Sequence, residues 1–124
     1  MVIFSPSLKM ELLPQILLQD EYLVAINKPH GLLVHKSPIA ADASDFAVQW
    51  VGDRIGRHVY PVHRLDRKTA GVLLFALDHT TNRMMQQQFM LRQPQKTSHA
   101  IVRGYTEEQG RVDAPLRNET GQYQ

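Results

Sequence analysis

Nine consecutive residues, His63-Arg64-Leu65-Asp66-Arg67-Lys68-Thr69-Ala70-Gly71, hold most of the reactive chemistry of this chain. They set one carboxylate among three permanent or near-permanent cations and a histidine. Arg64 and Arg67 flank Asp66, with Lys68 and His63 close along the chain. Cations within a few ångströms favour the charged form of a carboxylate. Asp66 is therefore expected to be ionised at neutral pH, an acceptor and a nucleophile rather than a general acid. Taken alone, the same residues also fit a surface ion pair or a turn cap, because an aspartate beside arginines is common and short motifs are hypotheses.

Something rigid has to present this loop. On its N-terminal side Arg57-His58-Val59-Tyr60-Pro61-Val62 reads as a short β-type run. On its C-terminal side Val72-Leu73-Leu74-Phe75-Ala76-Leu77 reads as a buried strand, an apolar run bounded by polar turn residues. Thr69 and Gly71 suit a tight turn into that second strand. A polar loop at the edge of a core is where scaffolds commonly hold functional groups.

Earlier elements complete the expected framework. Residues 1–15 carry Pro6 and Pro14 and little periodicity, and are expected to be an irregular leader. Ile16 to Leu18, the acidic pair Asp20-Glu21, and Tyr22 to Ile26 read as a hairpin. Asn27-Lys28-Pro29-His30-Gly31 follows as a sharp turn, since proline fixes φ and glycine permits positive φ. Ser44 is the expected N-cap of a helix to Ile55, with Ala47, Val51 and Ile55 on its inner face and Gly56 as terminator. Trp50 is expected to anchor the core. Asp78 or Thr80 is expected to cap a second helix running to about Arg92, its inner face marked by Met85 and Phe89, with Pro94 beyond it. Alternation from Ala100 onward predicts a further strand within residues 95–105. The expected fold class is α+β, a mixed and mainly antiparallel sheet with two helices.

Composition narrows the function classes. The chain has 124 residues, 43% hydrophobic and 21% charged, which is ordinary for a soluble globular domain. Cysteine is absent, so disulfides and thiolate metal sites are excluded. No apolar run reaches the ~20 residues of a membrane span, and residues 1–15 lack signal-peptide architecture, so a cytoplasmic location is expected. The net charge is +2, yet residues 54–68 alone carry five cations (Arg54, Arg57, Arg64, Arg67, Lys68) against Asp66. Positive charge focused on one loop suits a phosphate backbone, and it also suits a merely solvated face.

The whole string decides between these readings. His63 to Gly71 resembles the H-R-L-D-x-x-T-S-G signature of the pseudouridine synthases of the large-subunit-rRNA type A family, with Ala70 in place of serine. Asn27 to His35 resembles the family's N-K-P-x-G-x-x-V-H motif, in which Lys28 supports the core rather than reacts. Gln95 to Gly104 is similar to the Q-K-x-Y-H-A-I-V-R-G form of the branch that modifies tRNA, and Val112 to Leu116 follows its D-x-P-L turn. The resemblance runs from about Ile16 to Leu116, and its motifs, taken together in this order, are highly specific.

The resemblance implies that Asp66 is the catalytic aspartate of uridine-to-pseudouridine isomerisation in RNA. It implies that Arg64 fills the space left by the extruded uridine, and that His63, Arg67 and Lys68 help grip the RNA. No metal, nucleotide or redox cofactor is implied. Ser98 stands where the family has a tyrosine against the target base. Loss of one such stacking contact costs ~1–3 kcal/mol. An R-x-H-Q-[IL]-R element, whose arginine pairs with the aspartate, is not found before Gln124. Residues 16–124 are therefore expected to be the N-terminal half of the catalytic domain, slow or inactive alone and prone to self-association through an uncovered sheet edge. The competing expectation is an RNA-binding remnant without catalysis. A metal-dependent hydrolase using His58, His63 and Asp66 is the weakest reading, because no helical metal-ligand spacing is present.

Overall fold

A computed structural model describes residues 13–32, 34 and 46–117. The order of elements is β1 (Gln15–Gln19), β2 (Leu23–Lys28), α1 (Ala47–Ile55), β3 (Tyr60–Pro61), β4 (Gly71–Ala76) and α2 (His79–Met90). The four strands form one sheet in the order β1-β2-β4-β3, and every pairing is antiparallel. The α+β class stands, and the expected mixed character gives way to a purely antiparallel sheet among the described residues.

The hairpin forms where its turn chemistry demands. Asp20 Oδ1 accepts the backbone N–H groups of Tyr22 (2.7 Å) and Leu23 (2.8 Å), closing the turn between β1 and β2. Those two donors hold the Asp20 carboxyl below its usual range. The register slips between Ile16 and Leu18, which leaves Leu17 as a bulge.

Pairing of Val24 with Phe75, Ile26 with Leu73 and Lys28 with Gly71 puts these side-chain positions on one face. Val24, Ile26, Leu73 and Phe75 are fully buried there, against Ala47 and Val51 of α1 together with Val34 and Val59. Each such valine or leucine contributes ~1.5–3 kcal/mol relative to exposure. Helix α1 begins at Ala47 with Phe46 at the N-cap and no side-chain cap, while Ser44 lies outside the described residues. Its end is as read: Gly56 adopts φ 78° and its N–H bonds Gly52 O at 2.8 Å.

β3 is shorter than the predicted run. Only Tyr60 and Pro61 pair with β4, and Pro61 has no N–H to donate, as suits an edge strand. Asp78 caps α2, its Oδ1 accepting Thr81 N–H at 2.7 Å and its Oδ2 accepting Thr81 Oγ1–H at 2.8 Å. The helix ends at Met90, short of Pro94; Arg92 takes φ 55° just beyond it. Met85 and Phe89 are half-buried, the inner face expected.

The predicted strand within 95–105 does not form. Residues 91–116 contain no helix or strand, and Ile101 and Tyr105 are fully exposed. An alternating segment becomes a strand only when an edge pairs it and a face covers it.

Candidate active site

The pairing of Lys28 with Gly71 brings the end of β2 and the start of β4 together, so the Pro29–Leu32 turn and the Arg64–Ala70 loop lie at the same end of the sheet. They are then tied to each other. Lys28 is completely buried, and its Nζ donates to Leu32 O (2.6 Å), Pro29 O (3.1 Å) and Arg67 O (3.2 Å). Three acceptors for three N–H donors identify the group as an ammonium. Burial holds its pKa below the ordinary lysine value, and the negative charge of Asp66 acts in the opposite direction. Gly31 N–H donates to Arg67 O at 2.7 Å, and Arg67 Nε–H returns a bond to Gly31 O at 3.0 Å. Gly31 (φ 94°) and Gly71 (φ 139°) occupy backbone conformations that side chains resist.

Along the loop, anchoring residues alternate with free ones. Val62 N–H bonds Leu74 O at 3.0 Å. His63 Nε2 accepts Leu74 N–H at 3.1 Å, and its ring stacks on Phe89 with centroids 4.8 Å apart and planes 12° from parallel. Leu65 packs against the core cluster, Arg67 holds Gly31, and Thr69 N–H closes a turn on Asp66 O at 2.9 Å. Between these anchors Arg64, Asp66 and Lys68 are exposed. None of the three forms an ion pair or side-chain hydrogen bond among the described residues.

This division refines the reading of the basic segment. Of its five cations, Arg57 gives Nη2 to Leu77 O at 2.6 Å, Arg54 lies 5.4 Å over the Trp50 ring, and Arg67 is tied to Gly31. Among the described residues, Arg64 and Lys68 make no such contact. Asp66 is not salt-bridged to its flanking arginines; its electrostatic partner is Lys28. The sequence carries a signal for that role: Lys28 is two and four residues after Ile26 and Val24, in phase with the buried face of its strand.

His63 is half-buried, and burial, reinforced by the charge of Lys96, lowers its pKa from the usual histidine value, while a backbone hydrogen bond at Arg64 opposes them. Ser98 is exposed in the irregular segment after α2 and has no side-chain partner among the described residues. His58 stacks edge-on against Tyr60 at 4.6 Å, so His58, His63 and Asp66 are not gathered as a ligand set. No helix among the described residues is long and apolar enough to cross a membrane.

Comparison with known proteins places this loop in a family. The sequence model for RNA pseudouridylate synthases matches residues 22–124. The chain belongs to the RNA pseudouridylate synthase family. It is 52% identical over 103 residues to the tRNA pseudouridine synthase C of Pasteurella multocida (strain Pm70), covering 83% of this chain and 42% of that protein. It is likewise 52% identical over 105 residues to the tRNA pseudouridine synthase C of Yersinia pestis, covering 85% and 41%. Among solved structures, Human RNA Pseudouridylate Synthase Domain Containing 4 matches at 35% identity and a TM-score of 0.48, over 64% of this chain and 30% of that one. The chain thus spans about two-fifths of the length of the curated relatives it matches.

Proposed function

We propose that this chain supplies the aspartate-bearing part of an RNA pseudouridine synthase acting on a uridine of tRNA, with Asp66 as the catalytic carboxylate. The observation that carries the reading is the alternation of the loop: its anchors bond within the protein, and an exposed carboxylate stands between two exposed cations, none of the three in an ion pair or side-chain hydrogen bond among the described residues. The printed names of the relatives, tRNA pseudouridine synthase C, support the substrate class.

The reaction breaks the N1–C1′ bond of uridine and forms a C5–C1′ bond. An ionised carboxylate at the ribose serves either route, attack at C1′ or removal of the C2′ proton. The target base has to leave the stack first. Arg64, planar and permanently charged, suits the space the base leaves, and Lys68 suits a phosphate. His63 and Arg67 act on the RNA through the loop they hold. A cytoplasmic location accords with a tRNA substrate. The one-sided pairing of β1, with Leu17 and Leu18 exposed beside it, supports self-association, which static light scattering across a concentration series measures.

The test is tritium release from C5-labelled tRNA by the chain itself and by a chimera joining residues 1–116 to the remaining length of the Pasteurella relative. Release by the chimera, lost in its Asp66→Asn form, is the expected result; release that survives that substitution refutes the role of Asp66. A second reading, an RNA-binding module without catalysis, is favoured by one observation, the exposed Ser98 in an unpaired segment. It predicts tRNA retention in a filter-binding assay with no release from either protein.

A further inference from the structure

Histidine 63 was expected at the RNA, yet its ring is built into a junction of three elements. Nε2 accepts the Leu74 N–H of β4 at 3.1 Å. One ring face lies on Phe89 of α2, and Lys96 Nζ stands 5.3 Å from the centroid of that same phenyl ring. Lys96 is two residues before Ser98 and Phe89 lies in the last turn of α2, so the stack joins the base of the Asp66 loop to the segment carrying position 98.

We propose that His63, clasped by Phe89 and Lys96, is a positioning residue for Asp66: as a neutral Nδ1–H imidazole it fastens the start of the loop to β4, and its protonation unfastens it. The inference rests on the assignment of Asp66 above and adds a pH-gated anchor to it.

The geometry fixes the tautomer. An imidazole nitrogen that accepts a backbone N–H carries no proton, so the ring proton sits on Nδ1. A second proton would turn Nε2 into a donor facing the Leu74 N–H, leaving two donors opposed and no acceptor between them. The side chains facing the ring supply no negative charge to offset that loss. Lys96 approaches from the segment after α2, Arg64 adjoins it on the loop, Phe89 offers a neutral face from α2, and β4 contributes only its backbone. Among the described residues no carboxylate contributes to the field at the ring; burial and then Lys96 disfavour the charged form, and the smaller effect of a backbone hydrogen bond at Arg64 favours it. Two residues lie between His63 and Asp66; with His63 free, the start of the loop is held by the Val62 N–H bond to Leu74 O and by the packing of Leu65.

The test uses the 124-residue chain and requires no turnover. Nitrogen-15 NMR of the histidine rings reports the tautomer directly, and a pH titration follows His63, the Leu74 amide and the Asp66 resonances together. The expected result is an Nδ1–H ring at neutral pH that protonates below the ordinary histidine midpoint, with Leu74 and Asp66 shifting at that same midpoint. Protection of the Leu74 amide from exchange falls roughly five- to tenfold across it, the worth of one hydrogen bond. Lys96→Met moves the midpoint up. His63→Gln keeps an acceptor in place of Nε2 and removes the titration, so the Leu74 and Asp66 shifts disappear while protection at neutral pH stays. An Nε2–H ring in the unaltered chain overturns the proposal, as do Leu74 and Asp66 resonances indifferent to the His63 midpoint. Failure of the reaction assignment shows up elsewhere, as tritium release by the chimera that does not need Asp66.

Discussion

Replacing Lys28 with methionine removes the ammonium and keeps nearly the same volume, which isolates the polar contribution of the tie between the two loops. The wild-type side chain is wholly buried and donates to three carbonyls. Arg67 O keeps a partner in the variant, because Gly31 N–H already reaches it at 2.7 Å. Pro29 O and Leu32 O lose their donor. A buried carbonyl left without a partner costs ~1–3 kcal/mol, so two cost ~2–6 kcal/mol. The variant also escapes the expense of burying an ammonium, several kcal/mol before its hydrogen bonds are counted, which offsets part of the loss. The expected net is a destabilisation of about 2–4 kcal/mol, between those terms.

Urea unfolding followed by the fluorescence of Trp50, the sole tryptophan, measures it. The midpoint should fall while the slope stays constant, the mark of a change in stability without a change in the surface exposed. Because Arg67 O is bonded to both Lys28 and Gly31, the same variant should broaden or shift the amide resonances of Asp66 and Arg67 more than those of α1. A loss below ~0.5 kcal/mol, or a loop that keeps its wild-type resonances, would refute the view that Lys28 fixes the loop. It would leave the lysine as a tolerated buried charge whose removal is neutral.

The exposed members of the loop should behave oppositely. Asp66→Asn is expected to change stability by less than about 1 kcal/mol in the same urea assay, since its side chain is exposed and has no ion-pair or hydrogen-bond partner among the described residues, while abolishing tritium release by the chimera. Gly71→Ala meets nothing within 4 Å of the added carbon, so its cost is the backbone strain at φ 139°, about 1–3 kcal/mol by urea unfolding. Lys68→Ala should reduce the slope of log binding constant against log salt by ~0.7–0.9 in filter binding to tRNA, the loss of one phosphate contact, and Arg64→Ala should weaken tRNA binding by removing the group that fills the place of the extruded base. For pH, the folded pKa of Asp78 is lowered first by the Thr81 N–H, then by the Thr81 hydroxyl. The helix cap is therefore fully present above the ordinary aspartate value of 3.8 and is lost as pH falls through the lower folded value. Circular dichroism of α2 should decline in that acid window, and Asp78→Asn should flatten the decline.

The parts of this fold that were legible in the sequence are those governed by local chemistry. The Asp20 turn, the Gly31 and Gly56 positive-φ positions, the Asp78 cap and the inner residues of α1 and α2 each follow from one residue and its near neighbours. The sites that differed depend on partners far along the chain. Arg67 looked free for RNA because the carbonyl it holds, Gly31 O, is 36 residues away. His63 looked like a surface cation-in-waiting because Phe89 and Leu74 come to it only after β4 and α2 are built. Family resemblance supplied the importance of the nine-residue string, and the alternation within it, which residue holds and which is held out, came only from the fold.

Residues 95–105 make the same argument in reverse. Their alternation is real, and it predicts a surface that some other surface has to cover, because Ile101, Val102 and Tyr105 all stand exposed in an unpaired backbone. Period-two patterning encodes which side chains share a face; it does not encode the strand that pairs with that face. Local signals therefore settled the turns and caps here, whereas a strand whose partner is not among the described elements remained a pattern without a structure. The loop that carries Asp66 escapes this dependence. Its anchors, Lys28 from β2, Leu74 from β4 and Phe89 from α2, all lie within 13–32 and 46–90, so the carboxylate at position 66 is positioned by elements that are already paired and packed with one another.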